Sequence, residues 1–275
     1  MPAEKIALSG KQETFLITLY AKAMESRMPD SLLKDAFAAE AICRIDYDFA
    51  KLNVPHDPMI GLALRAKILD DWTWEFINHT PVATVLHLGC GLDSRVFRLE
   101  PPISVRWFDV DFPEVIALRR RLYPERDGCR LIGASVMDSG WLSDVPSEHP
   151  VMVIAEGLLP YLRKHEVLRL LDTLTAYFPS GELAFDGYSR LAISLLRLAP
   201  PIRVAGASLH WGIDDPRELE RQVPKLKLVK ELSGLDDPAQ IARMTWPTRL
   251  TILWCQSVPA FRRLGRFLLY RFGNR

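Results

Sequence analysis

Between Val82 and Tyr188 the sequence alternates five short, almost wholly apolar runs with amphipathic stretches. The runs are VATVLHLG (82–89), SVRWFDVD (104–111), RLIGAS (130–135), VMVIAEGLL (151–159) and GELAFDGY (181–188). A strand with one wet face alternates apolar and polar residues, whereas a strand covered on both faces reads as a continuous apolar run. Helix-like segments near 94–99, 113–122, 139–145 and 164–178 separate the runs, although the one at 139–145 is too poor in apolar period to assign. Parallel strands joined by crossover helices satisfy this pattern, so the block predicts a doubly wound α/β sheet.

The flanks differ in texture. Thr14–Arg27, Ser31–Arg44 and Gly61–His79 carry apolar residues at helical spacing and predict a helical N-terminal cap over residues 1–80. Ser31 is placed to N-cap the second helix, with breaks at Pro29-Asp30 and across Asn53–Pro58. Beyond the core (81–188), residues 189–275 predict a helix over Ser189–Leu198, a Pro200-Pro201 break, and a short helix started by Asp214-Asp215-Pro216. Two strand candidates follow, 225–233 and 248–256, suited to an antiparallel pair added at the sheet edge. The whole chain, 1–275, reads as one domain. The segment Phe261–Arg275 holds Arg262, Arg263, Arg266, Arg271 and Arg275 and no acid, interleaved with Leu and Phe. It predicts a terminal helix packed by one face, or else a contact with a membrane surface or an acidic carrier protein.

Composition narrows the function classes. With 35 Lys+Arg against 34 Asp+Glu the net charge is +1, without the basic excess that nucleic-acid binding by bulk charge requires. No apolar stretch reaches the ~18 clean residues of a membrane span, and MPAEKIALSGKQE contains no signal-peptide core. Cys43, Cys90, Cys129 and Cys255 form no CxxC or CxxH pair, which predicts a reducing, cytoplasmic setting and no metal site.

Three features carry chemistry. Gly89-Cys90-Gly91 follows the first strand, where glycines permit a tight turn or close approach of the backbone to a ligand. Ser94 replaces the third glycine of a dinucleotide fingerprint, which weighs against a nicotinamide oxidoreductase. Asp109 and Asp111 end the second strand on one side of it, 18 and 20 residues beyond Gly91. Either can accept hydrogen bonds from ribose hydroxyls or cap the helix that Pro113 begins. Glu156 interrupts an otherwise apolar strand, so it must be paired or face a ligand. His87, within the first strand, reads as a satisfied core histidine more readily than as a base.

Taken together, VLHLGCGLDSRVFRL (85–99), WFDVDFP (107–113) and IAEGLLPYL (154–162) resemble the leucine carboxyl methyltransferase family. TFLITLYAKAMESRMPDSLLKDAFA (14–38) and HWGIDDPRELE (210–220) resemble its bacterial branch of polyketide O-methyltransferases, so the likeness spans residues 11–222. The resemblance implies a class I, Rossmann-like methyltransferase fold and S-adenosyl-L-methionine as cofactor. It also implies a small-molecule acceptor methylated on a carboxyl group. Carried over by motif, Gly89 and Gly91 face the methionine part of the cofactor, and Asp111, with Asp109 beside it, faces the ribose. Ser135 and Val136 lie along the adenine, Glu156 is the acid of the post-strand motif, and Arg65 holds the cofactor's carboxylate, with Lys11 as a looser match for a similar role. His87 stands where relatives often have Asn or an acid.

A carboxyl acceptor, with a pKa of about 4, is ionised at neutral pH and needs no base, whereas a phenol, at about 10, does. His210 and Tyr161 are the catalytic candidates by position, and His210 is the base a phenol would call on. The acceptor pocket is expected between the N-terminal helices and residues 186–215, with Tyr20, Tyr161, Tyr188 and Trp211 offering aromatic surface. Hydroxyl methylation, and a cofactor-binding module without catalysis, remain as alternatives.

Overall fold

The predicted apolar runs become the first five strands of a seven-stranded sheet: β1 (Ala83–Leu88), β2 (Val105–Asp111), β3 (Cys129–Gly133), β4 (Val151–Ala155) and β5 (Gly181–Tyr188). The computed structural model describes residues 13–198, 208–233 and 236–273; Lys11 and the Pro200-Pro201 break lie outside them. Strand order is β3-β2-β1-β4-β5-β7-β6, with β1 to β5 parallel and β6 (Lys227–Ser233) and β7 (Gly265–Phe272) antiparallel additions.

Both faces of the sheet are covered, which is why its strands lack alternation. Val85, Trp107, Met152, Ile154 and Leu269 enter one core with the N-terminal helices α1 (Glu13–Ser26), α2 (Ala36–Arg44) and α3 (His56–His79). Their strand neighbours Leu86, Phe108, Val153, Phe185 and Tyr270 enter the other, against α6 (Lys164–Tyr177). Between them in the chain lie α4 (Arg95–Leu99) and α5 (Pro113–Leu122), while the unassigned third connection is a 3₁₀ turn over Ser139–Asp144. Later come α7 (Arg190–Leu196), α8 (Arg217–Gln222), α9 (Pro238–Ile241), α10 (Trp246–Ser257) and α11 (Pro259–Arg262). Among the described residues no helix is long and apolar enough to cross a membrane.

Four local expectations need correction. Residues 248–256, expected as a strand, form helix α10. Pro247 sits in its first turn, Asp57 accepts hydrogen bonds from the Thr245 amide and both the Thr245 and Thr248 hydroxyls, and Ile252 packs with Ile60, Ile241 and Met244. Tertiary packing thus overrides β-propensity. The basic C-terminal segment, expected as a terminal helix, holds only the end of α11 and then β7, whose residues are buried nearly throughout between β5 and β6. The strand's two arginines are engaged: Arg266 bonds Glu231 and the carbonyls of Ile213 and Asp214, and Arg271 bonds Glu182.

Asp35, not Ser31, caps α2 by accepting from the Ala38 amide at 2.8 Å, while Ser31 accepts from the Lys34 amide in the preceding turn. Helix α3 begins at His56, upstream of Gly61, because Pro58 falls in the first turn, where no amide donor is needed.

Two glycines test this packing. A Cβ on Gly61 meets nothing within 4 Å, so Gly61→Ala should stabilise by about 0.5–1 kcal/mol through helix propensity. A Cβ on Gly181 would lie 2.2 Å from the Val151 carbonyl, so Gly181→Ala should destabilise by about 1–3 kcal/mol. Urea midpoints moving in opposite directions are the expected result.

Candidate active site

Strand order reverses between β1 and β4, and a cleft of about 340 Å³ opens there at the carboxyl ends of β1, β4 and β5. This is the switch-point crevice where open α/β sheets bind ligands. The loop after β1 (Gly89–Asp93), the turn after β4 (Glu156, Gly157, Pro160, Tyr161) and the end of β5 (Asp186, Tyr188) form its floor and one wall. Helix α1 crosses it with Phe15, Thr18 and Lys22, α3 contributes Leu62 and Arg65, β1 contributes His87, and Leu196 and Leu209 also lie in the lining.

The glycine loop is shaped by backbone need. Gly89 and Gly91 have φ of +61° and +51°, where side-chain-bearing residues are strained. A Cβ on Gly91 would approach the Phe15 ring to 3.3 Å, so hydrogen here keeps the loop close to what lies above it. The Gly91 amide donates to Asp111 Oδ2 at 2.7 Å, and Asp111 Oδ1 accepts from the Phe112 amide at 2.7 Å. Burial raises the Asp111 pKa, and these two amides only partly offset it. A carboxylate has about four acceptor positions, so two stay open at the end of β2.

Glu156 is the hub. Lys22 Nζ lies 2.9 Å and Arg65 Nε 3.2 Å from its Oε1, and Arg95 Nη2 lies 2.5 Å from its Oε2. Burial would raise its pKa, but Lys22, Arg95 and Arg65 overcome that and hold it well below the carboxylate range. Asp93 is likewise held low against burial by Arg98, Lys22 and Arg95; Arg98 Nη1 and Lys22 Nζ stand 2.5 and 3.1 Å from its carboxylate. Asp70 receives Arg95 and Arg98, and Asp35 receives Arg98 and Ser94. Asp186 accepts from the Gly157 amide at 2.6 Å and faces Arg65 at 3.5 Å. Tyr188 stands beside Asp186 and Arg65 in the lining, and burial pushes its phenol up.

Of the residues singled out in the sequence, Arg65, His87, Gly89, Gly91, Glu156, Tyr161 and Tyr188 line the cleft, whereas Asp111 is not part of the lining and meets it through its bond to the Gly91 amide. Ser135 and Val136 follow β3 but are not part of the lining; the Ser135 hydroxyl accepts from the Met137 amide. Asp109 is placed differently from the ribose expectation. It is fully buried, accepting from His87, Trp107 and Arg119, and Arg119 in turn donates to the Gly91 and Asp93 carbonyls at 3.0 and 2.7 Å. Its effect on the loop is therefore indirect. The His210 side chain is exposed and outside the lining, and its amide donates to the Pro160 carbonyl at 2.7 Å. Tyr188 lines the cleft, whereas Tyr20 stacks on Phe49 and Trp211 packs against Phe185.

Lys22, Asp70, Asp93, Arg95, Arg98 and Asp186 were not anticipated. Lys22, Asp93, Arg95 and Arg98 lie inside the quoted motifs, and Lys22 is also a charge set among apolar neighbours, between Ala21 and Ala23, where burial demands a partner.

Comparison with known proteins places this geometry. The profile of the family described as leucine carboxyl methyltransferase matches residues 16–175. The chain is 42% identical over 269 residues to the tetracenomycin polyketide synthesis O-methyltransferase TcmP of Streptomyces glaucescens, covering 98% of this chain and 99% of that protein. It is 36% identical over 263 residues to the S-adenosyl-L-methionine-dependent methyltransferase dpfgK of Gibberella zeae, covering 88% of each. Among solved structures, one from Streptomyces avermitilis MA-4680 superposes with a TM-score of 0.58 at 14% identity over 87% of this chain and 95% of that one. One from Thermobifida fusca YX gives 0.57 at 17% identity over 92% and 94%. These two share the fold, that of the class I methyltransferases.

The hub gives an acid-stability signature. Glu156 has a folded pKa below its unfolded value of about 4.3, so its contribution is present above that pH and is lost as pH falls below it. Glu156→Gln should cost about 3–5 kcal/mol at pH 7, by leaving three cations short of a partner, and should flatten the loss of stability between about pH 5 and 2. Denaturant midpoints across that range check both effects.

Proposed function

Because the chain belongs to the leucine carboxyl methyltransferase family and is an S-adenosyl-L-methionine-dependent O-methyltransferase, we propose that it methylates a carboxylate oxygen of a small molecule. The observation that carries this reading is the absence, among the described residues lining the cleft, of a group free to take a proton. Asp93 and Glu156 are held ionised by Lys22 and arginines. Asp186 accepts from the Gly157 amide and is paired with the Arg65 guanidinium. His87 has both ring nitrogens engaged, with Asp109 and Arg95. Burial raises the Cys90 thiol and the Tyr161 and Tyr188 phenols, so they remain protonated at neutral pH. A phenol acceptor requires a base; a carboxylate arrives already ionised.

The residues present fit the cofactor. The loop at Gly89–Gly91 leaves the space that a Cβ would fill, and Asp111 keeps acceptor positions suited to ribose hydroxyls. Arg65 retains guanidinium donors for a carboxylate, which it can bind by two parallel hydrogen bonds, and Glu156 and Asp93 offer negative charge for an ammonium. When bound, the cofactor supplies a methyl group already activated on a sulfonium. The chain's part is then to orient the acceptor and exclude water. Leu62, Pro160, Tyr161, Tyr188, Leu196 and Leu209 give the cleft an apolar and aromatic wall. Such a wall suits a ring-bearing acid, in keeping with TcmP's naming for polyketide synthesis. A dry wall also favours transfer, because carboxylate and sulfonium charges cancel as the methyl moves.

Asp111→Ala should weaken cofactor binding by about 1.5–3 kcal/mol, roughly ten- to a hundredfold in Kd. Arg65→Lys should also weaken it, since an ammonium lacks the planar fork; unchanged affinity in either folded variant removes that residue from the site. At saturating cofactor, kcat should stay flat from about pH 7 to 9, as for an acceptor ionised throughout. A rise through that range, tracking a base, contradicts the carboxyl reading.

A further inference from the structure

His87 sits in β1 with 1% of its surface exposed, between two buried ion networks. Its Nε2 lies 3.1 Å from Arg95 Nη1 and its Nδ1 3.1 Å from Asp109 Oδ1. A guanidinium can only donate, so Nε2 presents its lone pair to Arg95 and the ring proton resides on Nδ1, donated to Asp109. The geometry thus specifies one neutral tautomer. On one side, Asp109 holds Arg119, which grips the Gly91 and Asp93 carbonyls. On the other, Arg95 holds Asp70 and Glu156. His87 joins the anchor of the glycine loop to the hub after β4.

We infer that His87 is a positioning residue for cofactor binding, and that a proton on its ring disengages Arg95 and loosens the site. The inference rests on the cofactor reading above. A protonated ring has no acceptor for Arg95 and turns N–H against N–H across 3.1 Å. The groups facing the ring leave no free carboxylate for the added charge. From β2, Asp109 is already paired with Arg119 of α5, and Trp107 meets the ring edge-on. From the glycine loop, Asp93, 3.9 Å from Nε2, is shared by Arg98, Arg95 and Lys22. From α4 comes Arg95 itself, and beyond it Glu156 is taken by Lys22 of α1 and Arg65 of α3. The cofactor-binding arrangement therefore favours the neutral ring, and by reciprocity the bound cofactor should resist its protonation.

The test is calorimetric titration of the full chain with S-adenosyl-L-homocysteine, the demethylated and unreactive probe, from pH 5.5 to 8. Affinity should fall at least fivefold from pH 7.5 to 5.5. His87→Gln can still donate to Asp109 and accept from Arg95 but cannot be protonated. It should bind at pH 7.5 within severalfold of the unsubstituted chain and lose the acid transition. An unsubstituted chain that binds equally across the range overturns the inference, as does an acid transition that persists in His87→Gln, which would assign the proton elsewhere, for example to Asp111. Failure to bind the probe at any pH would instead overturn the cofactor reading itself. Should His87→Gln not fold, the imidazole titration by NMR decides: saturating probe should lower the His87 midpoint, and an unmoved midpoint overturns the inference.

Discussion

One carboxylate receives a cation from each of three helices: Lys22 of α1, Arg65 of α3 and Arg95 of α4 all meet at Glu156. An ionised carboxylate buried alone would be prohibitively costly, so the partners are a condition for the strand to end where it does. The same requirement fixes the helical cap over the sheet. Lys22 and Arg65 must reach the end of β4, which draws α1 and α3 across the switch point and turns an open crevice into a lined cleft. Asp93, Asp70 and Asp35 repeat the arrangement through Arg95 and Arg98, tying α2 and α3 to the glycine loop. Each charge holds another in place, and removing any one leaves its partners buried and short of a counter-charge.

This construction has a chemical consequence. Carboxylates held by several cations are weak bases, and the one lone pair of the buried His87 imidazole is turned to Arg95. The cleft is thus charged yet poor in groups that could accept a proton. Combined with an apolar wall, that favours a reaction in which the nucleophile arrives ionised and the charges of the reactants cancel.

The sheet was legible in the sequence because burial on both faces writes itself as continuous apolar runs, and each of the five parallel strands overlaps one of those segments. The C-terminal third was less so. TRLTILWCQ carries Thr and Ile that favour strands, yet Pro247 and the Asp57 contacts start a helix there. GRFLLYRF carries arginines that resemble a helix's wet face, yet they reach Glu231, Glu182 and loop carbonyls from within a sheet. In both cases the deciding partner lies far away in sequence. The site divides similarly. Gly89, Gly91, Asp111, Glu156 and Arg65 fall in or beside recognisable motifs, whereas Lys22, Asp70 and Asp186 gain meaning only when folding brings them together. Asp109 and Asp111 could not be told apart by spacing; what separates them is Arg119, which claims the first and leaves the second to the Gly91 and Phe112 amides.

The central claim is that a cleft without a free base serves a carboxyl acceptor. It is tested most directly by the bond formed, read by treating the methyl-labelled product with mild alkali. A methyl ester releases its label as methanol, which is the result this account predicts. A product that keeps its methyl group under those conditions is an ether, and would contradict it.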